Sequence, residues 1–198
     1  ASIEKRKTMI DVVKKTSEQV FIPLTVGGGI NSIEDIRELL KSGADKVSIN
    51  TAAILNQKLI KESSNRFGSQ CIVAAVDAKK HNDNWYVYSH GGTKKTNINA
   101  LLWLEKLESL GAGEILLTSM DRDGTKDGYD LKLTETIATS VSVPVIASGG
   151  VGKLKDFLDG VNIGKASALL AASVFHFKKF SIGDVKKYLN SSGVDVRI

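Results

Sequence analysis

The chain has 198 residues, of which 42% are apolar and 25% are charged, and these proportions are ordinary for a globular protein with a full core. No apolar run reaches the length of a membrane-spanning helix, no signal peptide is visible, and the single cysteine excludes an intrachain disulfide, so we expect a cytoplasmic protein. The net charge of +5 suits an anionic small molecule better than nucleic acid, because the lysines are scattered and no basic run is interleaved with aromatic residues.

The predicted elements alternate between strands and helices along the chain. An amphipathic helix over 3–18 comes first, and apolar runs then predict strands at 21–26, 45–50, 71–77, 114–119, 143–147 and 166–171. Helical periodicity predicts helices at 32–42, 56–66, 97–110, 131–140, 153–162 and 182–191, and a polar insert around 85–88 predicts a hairpin. Strands that alternate with helices in this way predict βαβ units and a parallel sheet.

A glycine turn occurs twice, after the first and after the fifth predicted strand. Residues 22–30 align with 143–151 at a constant offset of 121 residues, as Pro23 and Pro144 show (144 − 23), and each copy leads into a helix, a glycine and another apolar strand. Glycines accept positive φ and let backbone N–H groups approach an anion, and the helix N-terminus that follows adds partial positive charge. We interpret the pattern as an internal duplication with two phosphate-type sites, which suits a substrate carrying a phosphate at each end.

Polar residues gather directly after the predicted strands. In a (β/α)8 barrel the active site lies on the face formed by the carboxyl ends of the strands, whereas a doubly wound sheet places ligands only beside its switch point. Six loops that all carry candidates favour a (β/α)8 TIM barrel, with residues 1–198 forming a single, partial domain. The candidates lie at 27–29, Asn50 and Thr51, Asp77, 121–125, 148–150, and Ala172 and Ser173.

Asp77 is the strongest candidate for chemistry, because it directly follows the apolar strand residues 72–76. A carboxylate that is partly desolvated at the mouth of a barrel can hold a proton near neutral pH, although a helix cap would look the same in sequence. Asp121 and Asp123 flank Arg122, and alternate residues of an extended segment point to the same side, so both carboxylates could face the pocket. A simple turn explains the Asp-Gly sequence at this position equally well. The three histidines lack metal-ligand spacing, so we expect no metal and no cofactor.

Seven long stretches carry a specific resemblance, at 1–9, 25–30, 44–53, 77–79, 113–125, 147–150 and 171–177. They span nearly the whole chain and are similar to the cyclase subunit of imidazole glycerol phosphate synthase, of histidine biosynthesis. The resemblance implies a barrel of duplicated half-barrels, present here as about six of eight βα units. It also implies a lyase that uses ammonia to convert the phosphoribulosyl-formimino aminoimidazole carboxamide ribonucleotide to imidazole glycerol phosphate and aminoimidazole carboxamide ribotide.

The same resemblance implies a role for individual residues. Asp77 would be the acid that protonates the substrate during cleavage and ring closure. Lys46 and Glu114 open two strands on the opposite face and would belong to a charged gate for ammonia, with Asp45 near the docking face of a glutaminase partner. One phosphate would bind Gly29, Asn50 and Thr51, and the other would bind Asp123, Gly124, Gly150, Ala172 and Ser173.

In that family two further strands, the first with the other catalytic aspartate, precede the segment matched by Ala1 onward. We therefore expect this chain to lack two of the eight strands, to expose apolar core at open edges, and to be inactive alone. Three other interpretations stay open: the sister isomerase of the same pathway, a non-catalytic truncated remnant, and a relative that delivers ammonia to a different acceptor. The glycine pattern thus predicts phosphate binding, the composition predicts no nucleic-acid or membrane partner, and the resemblance implies an enzyme of histidine biosynthesis that pairs with a glutaminase.

Overall fold

A computed structural model describes residues 3–198 of the chain, with side chains from residue 9 onward. Ala1 and Ser2, which belong to the first stretch of the family resemblance, lie outside the described residues. The helices are α1 (Ile3–Ser17), α2 (Ile33–Lys41), α3 (Thr51–Leu55), α4 (Lys58–Phe67), α5 (Ala100–Ser109), α6 (Leu131–Ala138), α7 (Leu154–Asn162), α8 (Ser173–His176) and α9 (Ile182–Ser191). The strands are β1 (Thr25–Gly27), β2 (Lys46–Ile49), β3 (Ile72–His81), β4 (Asn84–Ser89), β5 (Lys94–Asn99), β6 (Glu114–Ser119), β7 (Val145–Ser148) and β8 (Ala168–Leu170).

Six strands follow one another in the sheet in the order β1-β2-β3-β6-β7-β8. The pairs β1–β2, β2–β3 and β7–β8 are parallel, while β4 pairs antiparallel with β3 and with β5. The predicted α/β class is therefore confirmed, and the strand–helix units are those of a partial (β/α)8 TIM barrel.

Two compact units divide the chain, and the first consists of residues 1–75 with 106–115. Its core contains Ile36 of α2, Val47 of β2, Ile60 of α4 and Ile72 of β3, all with 0% exposure. Burial alternates along β2, as expected for a strand with one face packed under helices.

The second unit consists of residues 76–105 with 116–198. Its core is centred on Phe157 of α7, whose ring lies 6.3 Å from that of Tyr129 and 6.0 Å from those of Phe175 and Phe180. Aromatic pairs at such distances add to the stability gained from burial alone. That residues 1–198 form a single domain stays a prediction.

Several element boundaries differ from the predicted ones. The apolar run 21–26 predicts a strand from residue 21, but β1 begins only at Thr25, where pairing with Lys46 starts, and Phe21 is 100% exposed. The helix predicted from residue 97 begins at Ala100, because 94–99 form β5 and Asn99 Oδ1 accepts hydrogen bonds from the first turn of α5. The short helices α3 and α8 have no counterpart among the predicted elements, whereas β6 and α9 have the predicted bounds.

Candidate functional site

The first glycine turn is fixed on its helix side by a buried carboxylate. Asp35, in the first turn of α2, accepts hydrogen bonds at Oδ2 from the backbone N–H groups of Asn31 (2.8 Å) and Ser32 (3.1 Å). The Ser32 hydroxyl accepts in return from the Asp35 N–H (3.1 Å), which completes a capping box. Asp35 is only 7% exposed, so these donors at the positive end of the helix compensate its loss of water.

A buried carboxylate fixes the second glycine turn in the same way. Asp156, in the first turn of α7, accepts hydrogen bonds at Oδ2 from the N–H groups of Gly152 and Lys153, both at 2.9 Å. It is 4% exposed and lies 121 residues after Asp35 (156 − 35). The repeat predicted from the glycines therefore extends to the carboxylate that anchors each turn, a pair that the sequence analysis did not single out.

The offset between the two repeats changes by one residue after the helices. β1 and β2 pair Thr25 with Lys46, a separation of 21 residues (46 − 25), whereas β7 and β8 pair Ile146 with Ala168, a separation of 22 (168 − 146). In the longer connection Lys165 adopts a left-handed backbone, with φ of 56°. The constant offset of 121 therefore holds through the helices but is wrong for the strands after them.

This shift redefines which residues are equivalent after β2 and β8. Thr51 begins α3 and Ser173 begins α8, and both carry a hydroxyl. The preceding residues Asn50 and Ala172 have nearly the same φ, −119° and −117°. Thr51 thus corresponds to Ser173, and Asn50 corresponds to Ala172.

A cavity of about 170 Å³ lies beside the second glycine turn, within the second unit. The structure brings together here all five residues expected at the second phosphate, and Lys126 adds a cationic side chain. Its lining is formed by Asp123, Gly124, Lys126, Ser148, Gly149, Gly150, Val151, Leu170, Ala171, Ala172 and Ser173.

Close backbone packing requires glycine in this turn. The Gly128 N–H donates to the Gly150 carbonyl oxygen at 2.7 Å, and a methyl group on Gly150 would lie 2.2 Å from the Gly128 carbonyl oxygen. Gly149 and Gly150 also have φ of 96° and 98°, in the region that favours glycine. Position 150 is thus restricted both by conformation and by space.

The two aspartates after β6 have different environments. Asp123 lines the cavity, and its backbone N–H donates to the Ser119 carbonyl oxygen at 2.9 Å. The Asp121 carboxylate instead accepts a hydrogen bond from the Lys80 backbone N–H at 2.7 Å. The expectation that both carboxylates face the pocket is therefore wrong, because Asp121 is engaged in fixing the backbone of β3.

The cavity wall formed by the end of β8 is held by Tyr129. Its hydroxyl donates to the Leu170 carbonyl oxygen at 3.0 Å, and the residue is 3% exposed. Burial, followed by the nearby charge of Asp156, raises the pKa of the Tyr129 phenol far above its ordinary value. The phenol therefore keeps its proton and remains a donor across the physiological range.

The residues expected at the first phosphate lie at one edge of the first unit. β1 and β2 are parallel and pair Gly27 with Ser48, so the turn with Gly29 and the following Asn50 and Thr51 come from neighbouring carboxyl ends. A methyl group built on Gly29 would meet no other atom of the described residues within 4 Å. Among the described residues, this turn therefore has fewer close neighbours than the second.

Asp77 lies on β3 in the second unit, half-buried and opposite Tyr88 of β4. Pairing of β3, β4 and β5 gathers lysine and aromatic side chains beside it, among them Lys79 and Tyr86. The polar insert predicted the hairpin but not this grouping, because the pairing register cannot be read from the insert alone. A catalytic role for Asp77 stays a prediction.

Lys46 and Glu114 form an ion pair within the first unit. They open β2 and β6, and their side chains are 25% and 22% exposed. At the same end of β1, Asp45 accepts a hydrogen bond from the Leu24 N–H at 2.7 Å. The two residues expected at the ammonia gate thus meet, although gating itself stays a prediction.

Two further properties concern the described part of the chain. Its His, Cys, Asp and Glu side chains form no group of three or more that could hold a metal ion. Within residues 3–198, the helices also lack the combination of length and apolar character needed to cross a bilayer.

Comparison with known protein families gives one finding. The sequence profile of the family described as "Histidine biosynthesis protein" matches residues 1–181, which is most of the 198 residues. This family includes both the cyclase and the isomerase of the pathway.

Proposed function

We propose, because this chain belongs to the family of histidine biosynthesis proteins, that it is the ammonia-dependent cyclase of that pathway. Its substrate would be the phosphoribulosyl-formimino aminoimidazole carboxamide ribonucleotide, which carries a phosphate at each end. The products would be imidazole glycerol phosphate and aminoimidazole carboxamide ribotide, so the enzyme would be a lyase.

The observation that carries this proposal is the repeated anchored turn. Asp35 and Asp156 each fix a glycine turn at the start of a helix by accepting the N–H groups that follow the glycines. The N–H groups of the glycines themselves would then bind the anion. Two such turns in one chain match two phosphates on one elongated ligand better than they match a single small anion.

The chemistry of the second cavity supports a phosphate monoester as its ligand. Gly149 and Gly150 would present backbone N–H groups, and the Ser173 hydroxyl can donate a hydrogen bond. Lys126 supplies positive charge. The Asp123 carboxylate would repel a phosphate oxygen, so we assign it to a hydroxyl of the adjacent glycerol or sugar, which can donate to it. Gly124 and Ala172 would complete the wall of this site.

In the first unit, Gly29, Asn50 and Thr51 would bind the other phosphate. The Thr51 hydroxyl would act there as the counterpart of Ser173, since both begin the helix that follows the paired strand.

Asp77 would act as the general acid. Cleavage frees the amino group of the imidazole carboxamide ring, so the nitrogen that leaves must gain a proton as its bond to the formimino carbon breaks. A half-buried carboxyl group can hold such a proton, and general acid catalysis of this kind contributes roughly 10²- to 10⁴-fold in rate.

The Lys46–Glu114 ion pair supports the ammonia-using reaction over the isomerisation. Ammonia from a glutaminase subunit would enter past this pair, with Asp45 at the docking face. An isomerase consumes no ammonia and has no use for such an entrance. The glutaminase partner is part of the proposal.

Turnover with and without ammonium tests the proposal. The protein containing this chain is expected to consume the bisphosphorylated substrate only when ammonium or a glutaminase with glutamine is present. Asp77→Asn should lower the rate at least 100-fold. Asp83→Asn, which changes an exposed carboxylate in the hairpin turn, is the matched control and should leave the rate unchanged. Isomerisation of the pathway precursor without ammonium would overturn the proposal in favour of the isomerase.

A further inference from the structure

The hairpin of the second unit has two chemically different faces. Residues directly opposite each other in antiparallel strands point to the same side of the sheet. Ala78 and Val87 form one such pair, and both are 0% exposed, so that face is buried. The opposite face carries the pairs Asp77 with Tyr88 and Lys79 with Tyr86, in which every residue is half-buried.

Aromatic side chains on that second face are held by one another. His81 Nε2 lies 2.8 Å from the Tyr88 hydroxyl oxygen, and the two rings are within 10° of parallel. The Tyr86 ring meets His81 edge-on, with the ring centroids 6.0 Å apart. The three rings therefore form a preorganised surface rather than separate mobile side chains.

Two lysines flank these rings. Lys79 stands opposite Tyr86, and Lys95 of β5 pairs with Tyr88 and places Nζ 5.5 Å from the centre of the Tyr86 ring. A lysine ammonium group has three donors and no acceptor, so it can donate a hydrogen bond to a neutral carbonyl oxygen as well as to an anion. We call Lys79, His81, Tyr86, Tyr88 and Lys95 the hairpin face.

We propose that the hairpin face binds the planar imidazole carboxamide ring of the substrate, with its rings stacking on that ring and its lysines donating to the carboxamide oxygen. This inference rests on the proposed function. Cleavage breaks the bond between the formimino carbon and the amino nitrogen of the ring, so the ring must lie beside the acid that protonates this nitrogen. Asp77 shares the hairpin face's side of the sheet, which meets that requirement.

The size of the face favours a single ring over a nucleic-acid strand. Proteins that bind single strands without sequence preference contact about four or more nucleotides per fold along a basic groove. The hairpin face offers one cluster of three rings between two lysines, which matches one heteroaromatic ring.

Calorimetric titration with two ligands tests the inference. The first ligand is aminoimidazole carboxamide ribotide, and the second is ribose 5-phosphate, which lacks the ring. Tyr86→Ala and Lys79→Ala are expected to weaken binding of the ribotide, Tyr86→Ala by about tenfold, and to leave ribose 5-phosphate binding unchanged. Tyr86→Phe keeps the ring and should keep the affinity.

Lys80→Ala provides the matched control. Lys80 follows Lys79 directly but lies on the opposite face, where its Nζ is 5.8 Å from the Trp85 ring. It should alter neither titration, so that a loss seen with Lys79→Ala cannot be ascribed to removing any lysine from the hairpin.

Three results would overturn the inference. Unchanged ribotide affinity in the Tyr86→Ala protein would exclude stacking, and equal weakening of both ligands would show that the hairpin supports the fold alone. Tighter binding of a single-stranded RNA than of the ribotide would identify a nucleic-acid surface. Each of these is compatible with ammonium-dependent turnover, so failure of this inference is distinguishable from failure of the proposed function.

Discussion

The two glycine turns share one local construction but differ in what surrounds them. Asp35 and Asp156 each anchor one turn through two backbone N–H groups, and only the first turn also has a side-chain cap, the Ser32 hydroxyl. A methyl group on Gly29 would meet no described atom within 4 Å, whereas one on Gly150 would lie 2.2 Å from a carbonyl oxygen. Both repeats therefore keep the turn and its capping carboxylate, and they differ in the described atoms that surround the turn.

Only part of such an anion site is formed by residues that are close together in sequence. The turn and the capping carboxylate lie within a few residues of each other, so a short repeat carries them together. The enclosed cavity depends in addition on the loop after β6, which contributes Asp123, Gly124 and Lys126.

Replacing the two glycines should give the largest contrast. Gly150→Ala forces a backbone clash as well as an unfavourable positive φ, and we expect it to lower the free energy of unfolding by about 3 kcal/mol or more. Gly29→Ala meets open space and should lower it by about 1 kcal/mol, from the positive φ alone. Urea unfolding of both variants measures this, and equal losses would refute the claim that the surroundings differ.

Replacing the two capping carboxylates should give equal losses. Asp35→Ala and Asp156→Ala each leave two backbone donors without their charged acceptor, and we expect each to lower the free energy of unfolding by about 2 kcal/mol. Urea unfolding against the wild type measures this. Losses that differ by more than about twofold would show that the two caps are not equivalent.

Tyr129→Phe tests the wall of the cavity beside the second glycine turn. Loss of the hydrogen bond to the Leu170 carbonyl oxygen should lower the free energy of unfolding by about 1 kcal/mol at neutral pH. Because burial raises the folded-state pKa of this phenol, its contribution is fully present below the unfolded-state value of about 10 and is lost as pH rises above it. Urea unfolding between pH 9 and pH 11 should therefore show a steeper fall for the wild type than for the variant. Parallel curves would exclude a buried, protonated Tyr129.

Lys126→Gly should change stability least, by a small gain, and should weaken the binding of phosphate. Lys126 has φ of 65°, so glycine should relieve strain and raise the free energy of unfolding by about 0.5 kcal/mol. Loss of the cation should weaken inorganic phosphate binding about fivefold in calorimetric titration. Lys132→Ala is the control, because Lys132 lies on the exposed side of α6 and alanine, unlike glycine, does not weaken a helix. It should leave phosphate binding unchanged. Unchanged binding in the Lys126 variant would remove this lysine from the site.

Much of the fold could be predicted from the sequence where local signals agree. β6 and α9 have their predicted bounds because Gly113 and Ser181 mark their starts, and Ser181 caps α9. The first strand was predicted four residues too early, since Phe21 and Ile22 are apolar but exposed, and apolar character alone cannot show where pairing begins.

The candidate site was predictable to the extent that it repeats. The glycine pattern identified both turns, and the family resemblance supplied five of the residues that line the second cavity. It could not show that the offset shifts at Lys165, since a single inserted residue leaves the local pattern intact. The hairpin face also escaped prediction, because its members come from three strands whose register is fixed only when they pair.

The central claim is that each anchored glycine turn binds one phosphate of an elongated ligand. Soaking crystals of the protein with inorganic phosphate tests it most directly. We expect an anion in the cavity beside Gly150 and Ser173, and a second one beside Gly29 and Thr51. Density for an anion at neither turn would contradict it.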